Sequence, residues 1–117
     1  MSTVSFLDKA PMPFFRQNVP AGLAAGAVRT VTINLAGYQN GRLRGNFHQD
    51  VAGTLVVEQG GSQTLMDLSW TVPRDLTQPE FQYPFDIIII EPFVRITFTN
   101  GGAPSTFFRA IVVALPV

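Results

Sequence analysis

Cysteine is absent from this 117-residue chain, and histidine, lysine and tryptophan occur once each, as His48, Lys9 and Trp70. Without thiols there is no disulfide, no thiolate metal site and no cysteine nucleophile. Charge is scarce as well. Only 14% of residues are charged and the formal net charge is zero, against about 25% charged residues in ordinary soluble domains. No basic run occurs, which argues against a generic nucleic-acid binder, because such a protein needs a phosphate-neutralising surface. No apolar run approaches the ~18 residues of a membrane-spanning helix. The first ten residues lack a basic region followed by a long apolar stretch, so no signal peptide is expected.

Chemical motifs are missing too. There is no G-x-S-x-G elbow, and GLAAGA (residues 22–27) is neither a dinucleotide fingerprint nor a P-loop. His48 with Asp50 offers two metal ligands where zinc needs three or four. Asp75, Glu80 and Asp86 do not have calcium-loop spacing. His48 lies in an alternating stretch and reads as a structural or surface residue, not a base. The expectation is no catalytic residue, no cofactor and no metal.

What the chain has is apolar side chains, 46% of the total. Its length suits one domain that buries roughly two-thirds of its unfolded surface. Two regions differ in character. Residues 1–27 contain Pro11, Pro13 and Pro20. Proline fixes φ and biases its predecessor toward extended backbone, so this region reads as an extended arm. The arm is apolar, with Phe6, Leu7, Met12, Phe14 and Phe15, and must be covered by its own domain or by a neighbour. Residues 20–27 (PAGLAAGA) read as a flexible joint, with Gly22 and Gly26 permitting positive φ.

Residues 28–117 alternate with period two. Val31, Ile33 and Leu35 share a face. Leu43, Gly45 and Phe47 follow, then Leu55 and Val57. Met66, Leu68, Trp70 and Val72 form the cleanest series; Phe81, Tyr83, Phe85, Ile87 and Ile89 form the longest. Val94, Ile96 and Phe98 precede a last strand over residues 106–115. Asn40-Gly41 and Asn100-Gly101-Gly102 carry turn signals, the first of hairpin type. Seven to eight short strands without a helix predict an antiparallel, jelly-roll-like β-sandwich. Trp70 and Tyr83 belong to apolar series and are expected in the core. Tyr38 sits in a turn and is expected to be exposed.

Two strands are apolar on both faces: IIII (residues 87–90) and AIVVAL (residues 110–115). One face fills the core. The other, with Ile88, Ile90, Ile111 and Val113, is expected to meet the arm or another subunit. The alternative is coverage by loops of the same chain. Charge is also uneven. Arg16, Arg29, Arg42 and Arg44 precede an acid-rich stretch from Asp50 to Glu91. Separate surfaces would favour head-to-tail pairing; the alternative is local neutralisation between strands.

RLRGNFHQDVAGTLVVEQGGSQTLMDLSW (residues 42–70) resembles a recurrent pattern in small tailed-bacteriophage virion proteins. There a D-x-A-G-T-L turn and strand lead through E-Q to a tryptophan-bearing strand. EPFVRITFTNGGAPSTFFRAIVVAL (residues 91–115) resembles the closing hairpin of the same proteins. The loop after Gln59 is shorter than in that pattern, and the arm is more apolar. The resemblance implies a non-enzymatic virion structural protein of the capsid-decoration or head-tail accessory type. It implies a homo-oligomer, expected as a trimer, on the major capsid protein or other virion subunits, with no nucleic acid or membrane as partner. It places Arg95 and Arg109 on paired strands, as partners for acids such as Glu58 or Glu91. A tail, neck or baseplate component is the alternative location. A carbohydrate-binding module using Tyr38, Gln39, Asn40 and Gln63 is the alternative function.

Overall fold

A computed structural model of the chain describes residues 12–117, with the side chains described from Phe15 onward. It contains eight strands and no helix among the described residues. They are β1 (Met12–Val19), β2 (Val28–Asn34), β3 (Arg42–Gln49), β4 (Gly53–Gly60), β5 (Met66–Val72), β6 (Phe81–Ile88), β7 (Phe93–Asn100) and β8 (Phe108–Leu115). Sheet A has the order β1-β8-β3-β6 and sheet B the order β2-β7-β4-β5, every pair antiparallel. That arrangement is a jelly roll, as the alternation predicted.

Within the region expected to be an arm, Met12–Val19 is an edge strand of sheet A. The prolines suit this position. Pro13 lies at a register shift in β1, and Pro84 lies in β6, the opposite edge. A proline cannot donate to a ladder, so it is tolerated at edges and bulges. Residues 20–27 are tied down, contrary to the flexible joint expected. Leu23 is buried, its N–H donates to Ser105 Oγ at 2.7 Å, and Ser105 N–H donates back to Leu23 O. Gly22 has φ of 76°, and a Cβ there would lie 2.1 Å from Ser105 O.

Among the described residues, only β4 and β5 form a hairpin. Every other link carries the chain from one sheet to the other. The Asn40-Gly41 turn, with Asn40 at φ 68°, is therefore a crossover between sheets, not a hairpin. The same holds for Asn100-Gly101-Gly102, so β7 and β8 are not paired.

The core lies between the sheets. Phe47, Phe98 and Phe108 are fully buried, with ring centroids 5.4 to 5.9 Å apart. Tyr83 meets Phe98 at 5.8 Å. Each such side chain contributes about 1.5–3 kcal/mol by burial. Phe15 stacks on Phe47 at 6.2 Å, so this arm residue packs on the core of its own protomer. Tyr83 is buried and Trp70 packs against the core, as expected. Tyr38 is also buried, 8% exposed, where a surface ring was expected. The β2–β3 crossover passes over the end of the sandwich and turns this ring inward.

Polar side chains join the sheets at both ends. At one end Gln49 of β3 donates from Nε2 to Asn100 Oδ1 on β7, at 2.7 Å. Asn100 Nδ2 donates to the carbonyls of Leu23, Ala24 and Ala103. At the other end Gln59 of β4 holds the backbone of residues 88–91. At the Gln49–Asn100 end, where Gly53 lies opposite Asn100 in the β4–β7 ladder, Tyr83 Oη donates to Gly53 O and accepts from Gly53 N–H.

Candidate assembly and binding surfaces

The isoleucine run alternates as a strand must. Ile87 packs on the core and Ile89 is fully buried, while Ile88 and Ile90 are 50% and 59% exposed. Leu65, which precedes β5, is 67% exposed. Gln59 places these groups near one another. It sits opposite Leu68 in the β4–β5 ladder, while its amide binds the Ile88 and Ile90 backbone. Leu68 points inward with Gln59 yet remains exposed, because sheet A does not cover the β5 edge there. Leu65, Leu68, Ile88 and Ile90 thus make up an exposed apolar margin spread over both sheets at the Gln59 end of the sandwich, with Ile88 on the outer face of sheet A beside Arg42 and Leu68 on the inner face of sheet B.

Ile111 and Val113 face outward on β8 but are only half-exposed. In the register Ile111 lies between Arg16 and Asn46, and Val113 lies next to Arg44. They are separate from the margin. Of the arm residues, Phe6 and Leu7 lie outside the described residues, and only the backbone of Met12 and Phe14 is described.

The charged groups largely pair across neighbouring strands. Asp86 accepts from Arg42 at 2.6 Å and from Arg44 at 3.0 Å. The hydrogen bond from Arg42 and the charges of both guanidiniums hold the Asp86 carboxyl below its ordinary pKa. Glu58 on β4 binds Arg95 on β7 at 2.9 and 3.2 Å, a partnership anticipated from the sequence, and raises the arginine's pKa. Arg109 pairs with neither Glu58 nor Glu91 among the described residues. Its guanidinium lies 5.4 Å from the Phe107 ring. His48 Nε2 is 2.7 Å from Glu80 Oε1, and its ring meets Phe107 edge-on at 4.9 Å.

The outer face of sheet A also carries a cleft of about 330 Å³. Arg16 and Asn18 come from β1, Arg109 and Ile111 from β8, and Asn46 and His48 from β3. Sequence reasoning missed it. These residues come from three strands that only the sheet brings together, and no local motif marks them. Among the described residues, no group of three or more histidines or carboxylates could hold a metal ion.

No protein-family model matches the chain, and no curated protein matches it by sequence. Among solved structures, the phage PBSX exported protein XepA superposes over 100% of this chain with a TM-score of 0.66 at 14% identity. The chain shares its fold. It spans 39% of the length of XepA. A protein of the Bacillus endospore appendages, which form disulfide-linked pili, matches over 93% of this chain and 90% of its own, at 11% identity and TM-score 0.48.

Proposed function

We propose that the protein is a non-enzymatic structural subunit of a bacteriophage virion, most specifically a capsid decoration protein. It assembles as a homo-oligomer, a trimer, and seats on the major capsid protein through residues 1–11 and its apolar margin. The observation that carries this reading is the margin itself. Leu65, Ile88 and Ile90 leave large aliphatic surface in water at one end of an otherwise well-packed sandwich. Covering such a patch supplies ~25 cal/mol per Å², from which the cost of association is subtracted. Repetition over a symmetric shell adds avidity. The jelly roll shared with a phage exported protein supports the phage context.

The test is occupancy on phage heads, read by co-sedimentation and by negative-stain microscopy of labelled protein, alongside light scattering of the free chain. Deletion stops at residue 11, because a longer one would remove part of β1. The expected result is decorated heads with the full chain and bare heads with the truncated one. A full chain that stays monomeric at high concentration and leaves heads bare overturns the proposal.

A further inference from the structure

The cleft on sheet A has a composition that assembly does not require. The register sets six outward side chains in two rows. One row is Asn18, Arg109 and His48; the other is Arg16, Ile111 and Asn46. A single aliphatic group is thus framed by five hydrogen-bonding ones. The patch measures two strand spacings by two residues, about 10 by 7 Å.

Its charge is mainly positive, with one carboxylate, Glu80, at its edge against His48. Farther along this face Arg42 and Arg44 share the single Asp86 carboxylate, which offsets one of their two charges. Among the described residues, neither Arg16 nor Arg109 has a carboxylate within ion-pair distance. Two uncompensated guanidiniums beside a concavity are suited to a carboxylate, which the planar fork of arginine can bind through two hydrogen bonds. The apolar floor at Ile111 asks for a ligand with an apolar face as well. Asn18 adds an exposed amide that can donate and accept. Beyond Arg44 the Asp86 carboxylate interrupts the positive surface, so it does not form a track for an extended polyanion.

We propose that this cleft binds an acidic saccharide, one sugar ring carrying a carboxylate. The ring's C–H face lies on Ile111, its carboxylate is held by Arg16 and Arg109, and its hydroxyls meet Asn18 and the rim. This goes beyond the structural role and does not depend on it.

Calorimetric titration of the full chain with tri-galacturonate tests the proposal. Saturable binding is expected, weakened by added salt. Arg109→Gln and Arg16→Gln should each lower the affinity about ten- to a hundredfold, the range of a charge-assisted hydrogen bond. Both side chains are exposed, so unchanged melting temperatures would show that the variants are folded. Ile111→Asp should abolish binding. Equal binding of a neutral trisaccharide would overturn the proposal. So would equal displacement by inorganic phosphate, which would mark a simple anion site. Preference for an oligo-glutamate peptide, or no binding of tri-galacturonate, would overturn it as well.

Discussion

Gln59 Oε1 accepts the backbone N–H of Ile90 at 2.8 Å, while the same amide donates to Ile88 O at 3.0 Å. Gln59 is fully buried in sheet B, and Ile88 ends the edge strand of sheet A. One side chain therefore fixes the backbone that presents the two exposed isoleucines. Gln59→Leu keeps much of the volume but leaves two N–H groups and a carbonyl without this partner. It should cost about 1–3 kcal/mol. Urea denaturation should show a lower midpoint with an unchanged slope.

Asn100 performs the matching task at the other end. Its Nδ2 serves three carbonyls and its Oδ1 accepts from Gln49 Nε2 and Gly101 N–H. Asn100→Asp preserves the shape but sets a carboxylate oxygen against three carbonyl oxygens. The loss should be about 3–5 kcal/mol, the range for an uncompensated buried charge, and larger than for Asn100→Ala. Thermal melts of the two variants at neutral pH make the comparison.

Gly53 lies between two aromatic rings. A Cβ there would stand 2.4 Å from Phe98 Cζ, while its N–H and C=O bind Tyr83 Oη. Gly53→Ala should destabilise by about 1–3 kcal/mol through overpacking. Tyr83→Phe should cost about 1 kcal/mol through the lost hydrogen bonds. Because both changes act on one contact, the double variant should lose less than their sum.

Acid should weaken the fold in a defined window. Asp50 is held below its ordinary pKa by the backbone and side-chain hydrogen bonds of Thr106, and Asp75 by those of Thr77. Asp86 is held down by Arg42 and Arg44. A carboxyl whose pKa is lower when folded stabilises the protein above its unfolded pKa, and that stability is lost as pH falls through the folded one. The melting temperature should therefore show no contribution from these groups to its pH dependence above about pH 5 and should decline below about pH 4. Asp86→Asn should make the decline shallower.

The apolar margin can be separated from the fold. Ile88→Asp with Ile90→Asp alters exposed positions, where substitutions usually change stability by about 0.5 kcal/mol or less. The melting temperature should hold, while, under the proposed function, light scattering should show loss of the proposed oligomer and heads should remain undecorated. Ile89→Asp, at a fully buried neighbour, should unfold the chain.

Period-two alternation shows which side chains share a face, because successive residues of a strand must point opposite ways. The strands from Val28 onward, the jelly-roll class, the Tyr83 core position and the two-faced isoleucine run were legible by that route, whereas β1 lay in the region read as an extended arm. The resemblance, not the alternation, offered Glu58 or Glu91 as partners for Arg95, and the structure pairs Arg95 with Glu58. Sheet membership was not legible. A turn signal at Asn40-Gly41 or Asn100-Gly101 specifies how the backbone bends, not which strand it pairs with, and both bends cross between sheets. The burial of Tyr38 and the tethering of residues 20–27 follow from those crossovers. The cleft of Arg16, Arg109, His48 and Ile111 was invisible for the same reason. Its residues meet only through the β1-β8-β3 register, and non-local register is set by the packing of the whole sandwich.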